Sequence, residues 1–241
     1  MKDSDDVYAQ YFKNRNVTAD LYRDFRIPSH VKAVLPIVRS AKILDIGCGF
    51  GQILSALLKM NYVNVTGIDI SDEAVSSCLK DNLNVVKIDN IINFCFTRKD
   101  SNDKFDFIIM SHVLEHLKKE DVIETLRLIK THLMNPEASL LVMVPNAQSN
   151  TGCYWAYEDF THQTLFTAGS LYFVLKSAAF ESIDFIDPDG LEGSRPVIRQ
   201  IKQSLLFLYK ANVRFWNAVT NSSFHRPSPQ IFTYELKVLA K

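Results

Sequence analysis

Ile43-Leu44-Asp45-Ile46-Gly47-Cys48-Gly49-Phe50-Gly51 decides how the rest of the chain is read. An apolar run enters a loop with glycine at every second position, and a helical pattern, Gln52–Met60, follows. Glycine lets the main chain turn sharply and lets a ligand approach it closely. The helix N-terminus behind the loop offers unpaired N–H groups. The spacing therefore predicts a binding cleft across the carboxyl ends of parallel strands. Only eight glycines occur in 241 residues, so three at 47, 49 and 51 are a signal rather than background. The loop lacks the Lys-Ser/Thr of a P-loop. Its G-x-G-x-G spacing also differs from the G-x-G-x-x-G that a nicotinamide oxidoreductase needs.

Outward from this loop, apolar runs alternate with helical patterns. Strands are predicted at 41–46, 64–70, 84–89, 105–110 and 139–145, with helices between them. The second of these helices, Ser71–Leu79, opens on Ser71 as N-cap with Asp72 and Glu73 in its first turn. A helix is expected from His112 and another over about 120–133, ending before Asn135-Pro136. Such alternation implies βαβ units and a parallel sheet, with strands apolar throughout because both faces are covered. Residues 5–16 and 18–39 read as N-terminal helices, with Pro28 and Pro36 as breaks. After 146 the pattern changes: a polar, aromatic stretch, a helix over 170–179, a strand over 182–187, a helical pattern over 195–220, a Pro/Ser loop over 222–230 and a half-alternating last strand over 230–241.

Three acids close successive strands: Asp45, Asp69 in V-T-G-I-D-I-S and Asp89 in V-V-K-I-D-N. A carboxylate at Asp45 would repel a pyrophosphate but suits a ligand carrying an ammonium group. With these residues, D-I-G-C-G-F-G resembles the first motif of class I S-adenosylmethionine-dependent methyltransferases. The resemblance covers about 41–145. It implies an α/β, doubly wound, seven-stranded, mostly parallel Rossmann-like sheet with its last pair antiparallel. It also implies an N-terminal helical lid over 1–40, a cofactor core over 41–145, and a substrate segment, helical insertion and last strand over 146–241, all in one domain. The cofactor implied is S-adenosyl-L-methionine. The residues implied around it are Asp45, Gly47, Cys48, Gly49, Gly51, Asp69, Ile70, Asp89, Asn90, Ser111 and His112. Asp69 would take the ribose hydroxyls and Asp89 the adenine amino group.

His112-Val113-Leu114-Glu115-His116 matches the H-x-x-E-H zinc-peptidase pattern. Two histidines at i and i+4 share a helix face and could ligate a metal. The pentad, however, directly follows the presumed fourth strand and resembles the S-H-V-L-E-H-L stretch of small-molecule methyltransferases. No metal is therefore expected, and His116 reads either as a packed polar residue or as a substrate-facing one.

Tyr154 to Thr167 joins aromatics, acids and a histidine after the fifth strand, where a loop overhangs the cofactor. Its D-F-T-H and F-T-x-x-S-L resemble methyltransferases of bacterial surface-polysaccharide biosynthesis, and the last strand is similar to that group's. The resemblance implies O-methylation of a sugar hydroxyl on a glycan or lipid-linked saccharide. A general base speeds such a step by about 10²–10⁴. His162 is the expected base, Asp159 its support, and Tyr154, Trp155, Tyr157 and His116 are expected acceptor contacts. A small-molecule O- or C-methyltransferase with a quinone-like acceptor, or a silent cofactor-binding partner subunit, are the alternatives.

Lys+Arg and Asp+Glu both number 27, a balance that argues against a nucleic-acid binder. Four cysteines with no C-x-x-C argue against a disulfide framework. The start M-K-D-S-D-D lacks the pattern of a signal peptide and no apolar run approaches about 18 residues, so a cytoplasmic location is expected. From 193 to 234 there is no Asp or Glu, while Arg195, Arg199, Lys202, Lys210, Arg214 and Arg226 occur. Ile198, Ile201, Leu205, Leu208, Tyr209, Trp216 and Val219 share one helical face. That face either packs on its own domain, the more ordinary outcome, or lies on anionic lipid at the inner membrane face.

Overall fold

The computed structural model describes residues 10–225 and 228–241. Seven strands form one sheet: β1 Ile43–Ile46, β2 Val65–Asp69, β3 Val85–Lys87, β4 Phe105–Ser111, β5 Met134–Pro145, β6 Ile183–Phe185 and β7 Glu235–Ala240. Their order is β3-β2-β1-β4-β5-β7-β6. β1 to β5 pair in parallel, and β7 runs antiparallel to both β5 and β6. The strand order reverses between β1 and β4, and a cleft opens at such a switch point beyond the strand ends.

Both faces of the sheet are covered, which explains the continuously apolar strands. Leu44, Ile46, Ile108, Met110, Leu140 and Val142 point into one core layer. Ile43, Phe107, Ile109, Leu141 and Met143 point into the other. Each fully buried side chain of this size contributes roughly 1.5–3 kcal/mol. β7 is buried nearly throughout rather than half-alternating, because it lies inside the sheet between β5 and β6.

The helices are α1 Tyr11–Asn14, α2 Ser29–Lys32, α3 Gln52–Lys59, α4 Asp72–Lys80, α5 Ile91–Thr97, α6 Val122–Leu128, α7 Gly152–Glu158, α8 Ala168–Ser177 and α9 Pro196–Val219. The Ser71 hydroxyl accepts from the Ala74 amide, so the expected cap of α4 is present. Four expectations need correction. Residues 18–39 do not form a long helix: Ala19–Tyr22 is one 3₁₀ turn and α2 one α turn behind Pro28. Proline at 28 and 36 denies the preceding residues helical geometry. The helix expected over 5–16 is described only as α1, since residues 5–9 lie outside the described residues. No α-helix starts at His112; Leu114–His116 is a single 3₁₀ turn. The helix ahead of β5 widens to π geometry over Ile129–Leu133, and β5 starts at Met134, ahead of Asn135-Pro136. The pairing slips from Phe105↔Met134 to Phe107↔Ser139, and this irregularity accommodates Pro136.

The fifth correction concerns α9. Ile198, Ile201, Leu205, Leu208, Trp216 and Val219 are 47–61% exposed, and no residue of α9 is buried. Of the expected face only Tyr209, at its edge, is partly covered, and with Leu206, Lys210, Val213 and Asn217 it forms the stripe through which the helix touches the domain. Tyr209 donates to Asn150 (2.7 Å) and meets the Phe232 ring edge-on, while Lys210 pairs with Asp189. The expected packing on the domain is thus met at Tyr209 alone and not by the other six residues of the face; Arg226 lies outside the described residues.

Candidate active site

The glycine loop is tied to β2 by the Gly47 and Cys48 amides, which donate to the Ile68 carbonyl (2.8 and 3.1 Å). Gly47 and Gly49 adopt φ of +71° and +52°. A Cβ on Gly47 would fall 2.3 Å from Val113 Cγ2, whereas one on Gly49 would meet Phe12 only at 3.7 Å. Gly47 is thus required by packing as well as by its φ, whereas a Cβ on Gly49 would make only ordinary contacts with Phe12 and Gln52 and the positive φ alone favours glycine there. Gly51 sits behind the loop, where a Cβ would strike Leu83.

Asp69 organises the loop. Its Oδ2 accepts from the Gly49 amide and its Oδ1 from the Ser71 amide, both at 2.8 Å. Burial raises its pKa, and those amides act against the rise. Asp45 is 1% exposed, and its Oδ2 has no hydrogen-bond partner among the described residues. Burial and then the neighbouring Asp69 push its pKa up. A buried, unpartnered carboxylate oxygen next to a second acid is a seat for a cation.

Two cavities flank these acids. One of about 240 Å³ is lined by Gly47, Asp69, Ile70, Asp89, Asn90, His112 and His116. The other, about 400 Å³, is lined by Asp45, Gly47, Cys48, Gly49, Asp69, Ser111 and His112. Ten of the eleven expected cofactor residues therefore converge, and only Gly51 stays outside. Asn90 also accepts from the Asn93 amide as the cap of α5. Tyr11 and Phe12 line both cavities, so α1 lies between them. Phe12 packs on Phe50 with ring centroids 4.6 Å apart. Tyr11 donates to Asp159 Oδ2 at 2.5 Å, and Arg15 pairs with the same oxygen. The N-terminal turn is thereby latched to the segment after β5.

His112, with φ +54°, places Nε2 2.8 Å from Glu235 and Nδ1 3.3 Å from Glu115. Its surroundings alone would lower its pKa, but these two carboxylates hold it at about 10. The two carboxylates thus favour the protonated ring of His112, which is committed to Glu235 on β7 and not paired with His116 for a metal. A different triad converges instead: ligand atoms of Glu115, His116 and His162 lie within 4.8 Å of one another and could hold an ion. Neither Glu115 oxygen makes a well-aligned hydrogen bond among the described residues.

The expected His162–Asp159 couple is not formed. His162 Nε2 lies 3.8 Å from Asp159, beyond hydrogen-bond reach, and the ring is held at Nδ1 by the Trp155 carbonyl (2.7 Å). His162 lines neither cavity. Asp159 instead accepts from the Thr161 hydroxyl (2.5 Å) and amide (3.0 Å). Thr161 Oγ1 lies 2.9 Å from His116 Nδ1. Since the Thr161 proton goes to Asp159, Nδ1 of His116 is the donor and Nε2 is the basic nitrogen. Burial would raise Asp159, yet bonds from Thr161 and Tyr11 hold it at about 2. Burial pushes His116 down, which keeps its imidazole neutral.

Of the expected acceptor contacts, only His116 lines either of these two cavities. Tyr154 and Tyr157 are 53% and 77% exposed and line neither; Trp155 serves through its carbonyl. Sequence reasoning missed Tyr11, Phe12, Arg15, Thr161 and Glu235. Glu235 alone left a trace, an acid at the head of an apolar run.

A family model described as "Methyltransferase domain" matches residues 20–184. The ribosomal protein L11 methyltransferase of Lactobacillus johnsonii is 38% identical over 74 residues, which are 30% of this chain and 23% of that protein. The enzyme of the same name from Aquifex aeolicus is 37% identical over 86 residues, 32% of each chain. The matches thus span less than a third of the length of these curated relatives. Among solved structures, a SAM dependent methyltransferase from Archaeoglobus fulgidus superposes with a TM-score of 0.63 at 22% identity, covering 99% of this chain and 100% of that one. A DhpI-SAM-HEP complex gives 0.58 at 10% identity and full coverage of both chains. Likeness at these identities speaks for the fold.

Proposed function

The chain belongs to the methyltransferase-domain family, and from that premise we propose that it uses S-adenosylmethionine to O-methylate a hydroxyl of a saccharide acceptor. When bound, that cofactor supplies an electrophilic methyl carbon on a sulfonium. The residues present fit it. Gly49 lines the larger cavity without a side chain, Asp45 offers an unpartnered buried oxygen to an ammonium, and the Asp69 carboxylate lines both cavities and suits a ribose diol. Asp89 and Asn90 line the smaller cavity.

Oxygen methylation requires the acceptor hydroxyl to lose its proton. The observation that carries this reading is the Asp159–Thr161–His116 relay beside the cleft. It holds a neutral imidazole in one tautomer with Nε2 as proton acceptor. His162 stacks edge-on against His116 at 4.7 Å and steadies the ring. Tyr11 and Arg15 bring polar groups to the lining of the larger cavity, which suits a polyhydroxylated acceptor better than a flat quinone.

The test is product mass analysis after incubation with methyl-labelled cofactor and a panel of nucleotide sugars, lipid-linked saccharides and a quinol. A methyl ether on a saccharide is expected. Methylation of the quinol alone, or of none of these beside tight cofactor binding, would overturn the acceptor assignment.

A further inference from the structure

Independently of the methyl-transfer reading, we propose that α9 is an interfacial helix that seats the protein on an anionic lipid bilayer. The helix is held to the domain by one partly covered stripe, through Tyr209–Asn150 and Lys210–Asp189. Beside that stripe, Ile198, Ile201, Leu205, Leu208, Phe215, Trp216 and Val219 recur at helical spacing and are each 47–61% exposed. With Val197 at 69%, they leave roughly 800 Å² of apolar surface open, taking about 100 Å² for each half-exposed large side chain. The largest patch on a typical monomer is about 300–600 Å².

Charge selects the occupant. No acid lies between 193 and 234; Lys202 flanks the apolar face, Arg199 and Arg214 lie farther round the helix, Arg195 precedes its first turn, and none of the four has an ion pair among the described residues. Lys210, which is paired to Asp189, is the exception. A second copy seated on this face would bring two acid-free, positively charged helices together, whereas an anionic bilayer accepts both the apolar face and the positive charge of the helix. Exposed Phe and Trp side chains insert into an acyl boundary, which a purely electrostatic partner would not require. The helix does not span: no described helix is long and apolar enough to cross a membrane. Its anchor residue Asn150 follows the carboxyl end of β5, so α9 sits at the end of the sheet where the cleft opens.

The experiment is co-sedimentation of the full chain with equimolar phosphatidylglycerol/phosphatidylcholine vesicles and with pure phosphatidylcholine vesicles, at low salt. Light scattering of the free protein accompanies it. Binding to the anionic vesicles, with a blue shift of Trp216 emission in a Trp155→Phe background, is expected. Arg199→Gln/Lys202→Gln should lower partitioning by roughly 25-fold, and Leu205→Ser/Leu208→Ser should abolish it. Both variants alter exposed residues and should bind S-adenosylmethionine like the parent. Absence of wild-type binding to anionic vesicles would overturn the proposal. So would a dimer dissolved by Leu205→Ser/Leu208→Ser, which would assign the face to a second copy.

Discussion

Asp69→Asn is the most incisive perturbation of the cofactor site, because two separate quantities follow from one carboxylate. In the wild type its two oxygens each accept a backbone amide at 2.8 Å, from Gly49 and Ser71, in a site only 8% exposed. The amide side chain has one accepting oxygen, so one of those buried N–H groups loses its partner, at about 1–3 kcal/mol of folding stability. Binding suffers separately. The charged, bidentate acceptor for a ribose diol becomes a neutral, single acceptor, which costs roughly 1.5–3 kcal/mol, or about 10- to 150-fold in Kd. Calorimetric titration with S-adenosylmethionine and its demethylated product measures the second quantity; urea denaturation measures the first. NAD should bind negligibly to the wild type. Cofactor affinity within about threefold of wild type, in a variant shown to be folded at the assay temperature, would refute the role given to Asp69. Loss of affinity with unchanged stability would refute the loop-organising part alone.

Four further outcomes are expected. Gly47→Ala should destabilise the fold by about 2 kcal/mol or more, since its φ of +71° and its 2.3 Å approach to Val113 both penalise a Cβ; thermal melts will show it. His116→Ala should lower turnover by roughly 10²–10⁴ with cofactor affinity retained, and His162→Ala should cost less; the reverse ranking would return the base role to His162. Elemental analysis should find no stoichiometric metal, because Glu115 and Glu235 favour a protonated His112, which sets positive charge beside Glu115; a metal whose removal abolishes activity and whose return restores it would reverse this. Asp159, held at about 2 in the fold against about 3.9 unfolded, contributes roughly 2 kcal/mol of stability above about pH 4, lost as pH falls toward 2. Asp159→Asn should therefore lower stability at neutral pH and flatten that acid-side slope in urea titrations.

Legibility followed distance along the chain. The cleft could be read directly from the sequence because its determinants are local: a tight turn written in glycines, and acids placed by the ends of consecutive strands. Gly47, Asp45, Asp69 and Asp89 came from that logic, and ten of the eleven named residues line the cavities. The acceptor corner was not readable in this way. Tyr11 and Asp159 are 148 positions apart and His112 and Glu235 are 123 apart, so nothing local marks their pairing. The three-residue spacing of Asp159 and His162 suggested a couple, but the turn between them gives Asp159 to Thr161 and His162 to the Trp155 carbonyl.

The helix α9 shows the same division most sharply. Its length, its periodicity and its want of acids follow from residue order alone. Whether an apolar face is covered depends on which neighbours the sheet brings near, and a covered face and an open one carry the same pattern. Here only the Tyr209 stripe meets the domain, and the face beside it is left to solvent or a partner. Backbone preference and hydrophobic period act over a few residues and so are written in the sequence. Pairing between distant side chains, and the burial of a face, are set by the packing of the whole chain, and tertiary structure alone decides them.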